Sequence, residues 1–201
     1  GSFVYELEAD VTIPSEYILM MHFIGKIDLE IQKKIVNYII RTQNKEGGWP
    51  LFFGGKSDIS ASVKAYFALK VSGINQNSNS MIKAKALILK LGGAENSNVF
   101  TKITLALFGQ ISWKAIPVMP IEIMRLPKWF PFHLNKISYW SRTVLVPLLI
   151  ILHEKPLANN PSGTNISELF KNKFYNMLSN SQENIFWSKI FFNLDKIIRI
   201  L

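Results

Sequence analysis

Gln43, Gly47 and Trp49 directly follow an apolar helical stretch from Ile35 to Arg41, and this spacing restricts the fold more than any other feature of the chain. A glutamine amide can hydrogen-bond backbone groups that are left open at a helix end. The glycine permits a left-handed turn, and the indole covers the junction with a large apolar face. These three residues, called the clasp below, therefore predict a helix that ends here in a tight turn.

Apolar residues recur at intervals of three and four positions through most of the chain, which is typical of helices. Two segments show it best: Ile31, Ile35, Tyr38, Ile39 and Val63, Tyr66, Phe67, Leu69. Helix starts are predicted at Asp28, at Asp58, at Asn96 or Ser97, and at Asn165, which together with Glu168 resembles a capping box. Helix ends are predicted at Gly73, at Gly92-Gly93 and at Gly109. Helix pairs at a spacing of a few tens of residues, with the clasp, predict an all-α fold of the α/α toroid type.

The stretch from Ile116 to Pro131 departs from this pattern because four prolines forbid a regular helix over its length. It is too apolar for an ordinary solvated loop. Either it packs over the core, which we favour, or it forms part of a membrane-facing patch.

A further helix is predicted from Ser138 to His153, with a kink at Pro147. A polar break at residues 159–163 is the best linker candidate in the chain. Two more helical patterns follow from Asn165, and the last, Ile185 to Leu201, is apolar on nearly all sides. A helix of that kind is normally buried on every face. We therefore predict poor solubility for the isolated chain, to be checked by light scattering.

The net charge of +9 raises the possibility of nucleic-acid binding, but the cations are scattered singly and no basic helix alternates with aromatic residues. We therefore expect no nucleic-acid partner and favour attraction to an anionic membrane surface. The longest apolar run, Val144 to Leu152, spans nine residues, against about twenty for a membrane span. Without cysteine, and with His22, His133 and His153 far apart, neither a metal nor another cofactor is expected.

Several segments resemble the N-terminal part of the squalene-hopene cyclases, a family of class II triterpene cyclases. They are residues 5–10, 13–17, 54–55, 58–69, 97–101, 105–109, 117–124 and 138–144, in the order and at the spacing of that family. The recognisable part, 1–156, is predicted to be the N-terminal helical domain with its start truncated, although Gly1-Ser2 could also be a tag remnant. Residues 157–201 would be a variable helical continuation of the same domain. The resemblance implies an incomplete helical barrel of the terpene cyclase type.

In this family, squalene is protonated and folded through a series of carbocations to hopene or hopanol, which requires a very strong acid and a dry, aromatic cavity. The family's acid is the middle aspartate of an Asp-x-Asp-Asp motif, which this chain lacks because its four aspartates are widely separated. The resemblance thus implies that the chain is inactive alone and that a downstream catalytic barrel is its partner. It also implies squalene or a similar polyene as substrate, monotopic attachment to the cytoplasmic side of a bacterial inner membrane, and a possible homodimer.

The resemblance assigns roles to individual positions. Trp140 and Phe100 would line the substrate cavity, Ile137 and Leu145 would narrow the entrance channel, and Glu16 would support the acid. Each has a structural alternative: both aromatic residues are more often core residues, and Glu16 would be a first-turn carboxylate favoured by the helix dipole.

Lys64, Asn98 and Thr104 depart from the family, where some members carry glutamate, arginine and tryptophan. These departures weaken the case for an intact acid-side network. They favour somewhat a rival hypothesis, a non-catalytic or degenerate helical module for lipid binding or partner contact. Another class II terpene cyclase with a different polyene is a second alternative.

Overall fold

The computed structural model describes residues 10–117, 119–131, 133–158 and 163–171. These residues form six α-helices: α1 Thr12–Ile24, α2 Leu29–Thr42, α3 Ile59–Val71, α4 Asn79–Lys90, α5 Val99–Leu107 and α6 Tyr139–Glu154. Two antiparallel strands, β1 Trp49–Pro50 and β2 Ser57–Asp58, join α2 to α3. Short 3₁₀ turns lie at Ala94–Asn96, Trp113–Ala115, Ile121–Arg125, Leu134–Lys136 and Ser167–Leu169. The predicted helical fold is confirmed, with two short strands as an unpredicted addition.

Side-chain caps explain where most of the helices begin. Asp28 accepts two backbone N–H bonds at 3.0 Å at the start of α2, and Asp58 accepts one at 2.8 Å at the start of α3, so both predicted caps are confirmed. The start predicted at Asn96 or Ser97 is wrong, because the α5 cap is Asn98. The Ser97 hydroxyl donates instead to the Ala94 carbonyl at 2.7 Å within the preceding turn.

Helix α3 is the centre of the fold, with α1, α2, α4 and α5 packed against it. Eleven of its thirteen residues are buried, because neighbouring elements surround this helix. Its polar side chains bond to different neighbours: Ser60 Oγ accepts from the Asn98 N–H at 2.9 Å, Ser62 Oγ from the Trp49 N–H at 3.2 Å, Lys64 donates to Glu16 and Tyr66 donates to Glu168.

The proline-rich connector is buried only in its first part. Ile116 is buried and Met119 packs against the core, but Met124 and Trp129 are exposed, Trp129 at 76 %. The 3₁₀ turn in its middle contacts α6 rather than the core formed around α3. The prediction of burial is therefore wrong for the second half of the connector.

Helix α6 follows the prediction to within one residue, with Ser138 as its cap, and it continues through Pro147. The kink at Pro147 stays a prediction. In the described part of the chain no helix has both the length and the apolar character that crossing a bilayer requires.

The capping box predicted at Asn165 and Glu168 is wrong. Asn165 accepts the Ser167 N–H at 2.9 Å in a 3₁₀ turn, and Glu168 is held by residues of α3 instead of returning to its own backbone start. Outside the described residues lie the start of the chain at 1–9, most of the predicted break, and the helical patterns beyond Lys171, including Ile185 to Leu201. The boundary at 156/157 stays a prediction.

Candidate functional site

The clasp connects two helices. Gln43 Nε2 donates to the Gly47 carbonyl at 2.8 Å and to the Ser80 carbonyl at 2.9 Å, while the Ser80 hydroxyl donates to Gln43 Oε1 at 2.6 Å. Ser80 belongs to the first turn of α4, and Gln43 immediately follows α2. One amide side chain therefore fixes the end of α2 to the start of α4.

Trp49 provides the part of the clasp that caps α2. The indole is fully buried, and its Nε1 donates at 2.8 Å to the Ile39 carbonyl. This is one of the last four carbonyls of α2, which lack a backbone N–H partner within the helix, and the Thr42 hydroxyl also donates to it at 3.1 Å. The prediction that the glutamine amide satisfies this helix end is wrong in detail. The indole N–H has that role, and Gln43 makes the bond to the next helix.

Helices α1, α3 and the start of α5 border an open cavity of about 430 Å³. Glu16 and Phe100, which were predicted to serve the acid and the substrate, both line it, together with Lys64 and Asn98. Thus the structure brings two of the predicted site residues together with two of the three departures from the family pattern.

Glu16 forms an ion pair with Lys64 across this cavity wall, with Nζ and Oε1 2.6 Å apart. The lysine side chain is 4 % exposed and the glutamate side chain 44 %. The alternative for Glu16 as a first-turn carboxylate is wrong, because α1 begins at Thr12 and Glu16 is its fifth residue. Asp10 serves that start instead by accepting the Thr12 N–H at 2.8 Å.

Both predicted cavity aromatics are exposed. Phe100 is 54 % and Trp140 77 % exposed, so the alternative that they are core residues is wrong for both. Trp140 lies on α6 and does not line the Glu16 cavity, and the same holds for Ile137 and Leu145, which are half-buried. The structure therefore leaves the predicted entrance residues apart from the predicted acid-side residues.

Tyr66, Lys70 and Glu168 form a second polar cluster that sequence reasoning missed. The Tyr66 hydroxyl donates to Glu168 Oε1 at 2.8 Å, and Lys70 Nζ pairs with the same oxygen. Burial alone raises the pKa of Glu168, but hydrogen bonds from Lys70, its own backbone N–H and Tyr66, with the charge of Lys70, bring the pKa below its ordinary 4.5. Burial first, and then the bond to Glu168 and its charge, raise the pKa of Tyr66 above its usual range. The cluster holds the segment 163–171 on α3.

A lysine in the middle of a largely apolar helix was the sequence signal for the missed ion pair, because such a cation needs a partner. The sequence did not indicate which carboxylate it would be. Among the residues that the structure describes, no three histidine, aspartate or glutamate side chains are grouped as metal ligands would be. The expectations of no metal, no cofactor and no nucleic acid stay predictions.

Comparison with known proteins identifies the family. The whole chain, residues 1–201, matches the family described as squalene-hopene cyclase N-terminal domain. The chain belongs to this family. The domain is 51 % identical over 199 residues to a squalene-hopene cyclase of Zymomonas mobilis, covering 98 % of the chain and 30 % of the relative.

Two further relatives agree. A squalene-hopene cyclase of Bradyrhizobium diazoefficiens is 48 % identical over 205 residues, which cover 100 % of the chain and 31 % of the relative. A squalene-hopene cyclase of Schizosaccharomyces japonicus is 53 % identical over 171 residues, which cover 85 % of the chain and 26 % of the relative. The predicted family and its helical fold class are confirmed. The domain spans about three tenths of the length of the bacterial relatives.

Proposed function

We propose that this chain is the N-terminal helical domain of a squalene-hopene cyclase, an isomerase of hopanoid synthesis that converts squalene into hopene or hopanol. The proposal is supported by the match of the whole chain to the family and by relatives near 50 % identity that carry this name. Within that enzyme, the domain supplies cavity wall and entrance channel to a polyene.

The observation that carries the proposal is the presence of an exposed aromatic ring and a carboxylate at one cavity. Phe100 and Glu16 line the same space, next to Lys64. An aromatic face stabilises a passing carbocation by about 2 kcal/mol when water is excluded, without offering a nucleophile that would trap it. Trp140 on α6 offers a second such face, 77 % exposed in this chain.

The proton donor has to come from elsewhere. The sequence contains no Asp-x-Asp-Asp motif, since its aspartates are Asp10, Asp28, Asp58 and Asp195. A single carboxyl without neighbours of that kind is far too weak an acid for an alkene. The acid is therefore assigned to a catalytic barrel that follows this domain in the complete enzyme, with Glu16 in a supporting role.

Attachment to one face of a membrane is part of the proposal, because squalene dissolves in the bilayer. The net charge of +9 favours an anionic surface, and the exposed Trp129 has the amphipathic ring typical of membrane interfaces. The proposed location is the cytoplasmic side of a bacterial inner membrane, with a homodimer as the proposed assembly.

A chimera tests the proposal. The segment of the Zymomonas mobilis cyclase that matches this chain is replaced by the chain, and products from squalene in detergent micelles are identified by mass spectrometry. Hopene or hopanol from the chimera, with none from the chain alone, is the expected result. A folded, soluble chimera that forms no cyclic product would contradict the proposal.

The missing acid motif and the departures at Lys64, Asn98 and Thr104 favour one alternative function. The family pattern that the chain resembles has glutamate in some members where this chain has Lys64, and such a departure fits a non-catalytic module for lipid binding or partner contact. An inactive chimera that still binds squalene would support that alternative. A different cyclic triterpene would instead support another class II cyclase.

A further inference from the structure

Residues 163–171, called the strap below, have little secondary structure of their own. Their backbone forms one 3₁₀ turn, Ser167–Leu169, which is closed by two hydrogen bonds of 2.9 and 3.3 Å. In the described part of the chain the strap belongs to no α-helix and pairs with no strand. The groups that keep it in place must therefore come from the elements around it.

Gln110 binds the first part of the strap through both ends of its side-chain amide. Its Oε1 accepts the Ile166 N–H at 2.9 Å, and its Nε2 donates to the Thr164 carbonyl at 3.2 Å. Lys70 Nζ donates to the Asn165 carbonyl at 2.6 Å. The bonded partners are 54 to 95 positions apart in sequence, so only the packing of the domain brings them together.

The second part of the strap is fixed at two more points. Glu168 accepts hydrogen bonds from Tyr66 and Lys70 of α3, and Glu95 accepts the Lys171 N–H at 3.1 Å. Bonds to an ionised carboxylate are stronger than bonds between neutral groups. The strap is thus bonded to the domain along most of its length.

Three apolar side chains of the strap join the core beneath it. Ile166 and Leu169 are fully buried, and Phe170 is 8 % exposed. The 3₁₀ turn that carries Leu169 packs against α4. Complete burial of an aliphatic or aromatic side chain contributes about 1.5–3 kcal/mol. The strap is therefore a docked segment, in contrast to an ordinary surface loop.

The helices beneath the strap do not depend on it for their own hydrogen bonds. Each bond between strap and domain described above involves a side chain, so its loss breaks no backbone bond within α3, α4 or α5. The side chains that would lose a partner are polar and would be hydrated when the strap leaves. Segments with these properties open at a lower free energy than the core that they cover.

We infer that the strap is a conformational device: residues 163–171 open and close as one unit while the helices α1 to α5 stay folded. Its closure fixes the point at which the chain continues past Lys171. The inference goes beyond the proposed function and does not depend on it, because it concerns only contacts within this chain.

Hydrogen exchange of the 201-residue chain, followed for single amides by NMR, tests the inference. In the parent chain the amides of Ile166, Leu169 and Lys171 should exchange faster than those in the middle of α3. Gln110→Ala removes two bonds at one end of the strap. It should raise the exchange of all three amides by one common factor of about tenfold or more, including Lys171 at the other end.

The chain provides a matched control in a second glutamine. The Gln43 amide also bonds to distant groups, those of Ser80, 37 positions away, but it lies in the clasp and does not touch the strap. Gln43→Ala lowers the stability of the helical core. It should therefore speed the exchange of α3 amides that exchange by global unfolding, and leave the strap amides unchanged.

Two outcomes would overturn the inference. Faster exchange confined to Ile166 in Gln110→Ala would show fraying at one end in place of opening as a unit. Strap amides that are as slow as those of α3, and that Gln43→Ala accelerates equally, would make the strap part of the cooperative core. If Gln110→Ala does not fold, Glu168→Gln decides the same question, because it weakens the strap at a different point and should accelerate the same three amides by one factor.

Discussion

Replacing Gly47 by alanine tests the clasp at its tightest point. A methyl group at Gly47 would lie 2.6 Å from Lys83 Cβ and 2.8 Å from the carbonyl carbon and oxygen of Lys83. Because part of the obstacle is backbone, a side-chain rotation cannot remove it. Overpacking of this kind costs about 1–3 kcal/mol. The backbone φ of +94° adds about 1–2 kcal/mol for a residue with a Cβ.

The matched control is Gly54→Ala. Gly54 also has a positive φ, +73°, but a Cβ there would meet nothing within 4 Å. The Gly54→Ala variant should lose about 1–2 kcal/mol of unfolding free energy, against about 2–5 kcal/mol for Gly47→Ala. The entropy that alanine removes from the unfolded chain is the same in both and cancels.

The assay is urea unfolding of the two variants and the parent chain, followed by circular dichroism, with thermal unfolding as a second readout. The difference of about 1–3 kcal/mol corresponds to about 2–12 °C in Tm for a domain of this size. Equal destabilisation of the two variants would refute the argument, because it would show that the approach of the clasp to α4 carries no steric cost.

Three further changes have defined outcomes. Gln43→Ala should lose about 1–3 kcal/mol in urea unfolding, because its bonds to Ser80 are broken and leave polar groups unpaired; an unchanged midpoint would contradict the role of the clasp. Glu168 has a pKa below 4.5 in the folded chain, so its contribution to stability is present above that pH and is lost as the pH falls through the folded pKa. Glu168→Gln should therefore flatten the fall of the unfolding free energy on the acid side, and an acid limb parallel to that of the parent chain would count against this. Trp140→Ala should change the chain's unfolding free energy by less than about 0.5 kcal/mol, since the ring is exposed, yet should lower or redirect product formation by the chimera.

Local signals in the sequence were sufficient for much of the fold. The caps at Asp28 and Asp58 were predictable because each side chain bonds to backbone groups two or three residues away. The same reasoning failed at Asn98 by one or two residues, because Ser97 was equally suitable in composition and its hydroxyl bonds to the preceding turn.

The candidate site was predictable only in part. Glu16 and Phe100 were recognised by resemblance. The sequence around either residue does not indicate that they share a cavity, or that Lys64 lies between α1 and the core. Ion pairs between residues 48 positions apart depend on how the helices pack, and periodicity fixes only which face of a helix is apolar. For the same reason Glu168 was assigned to its own helix start and not to Tyr66, 102 positions away.

The polar groups along α3 have a consequence for the uniqueness of the fold. Apolar contacts alone specify the register of a helix weakly, because hydrophobic side chains of similar size replace one another at small cost. Four polar side chains of α3 each bond to a different element here. Ser60 bonds to the cap of α5 and Ser62 to β1. Lys64 bonds to α1, and Tyr66 bonds to the turn at 167–169. A shift of one turn would break all four bonds at once and move each side chain away from its partner. The central helix thus admits a single register, and the elements around it take their positions from that register.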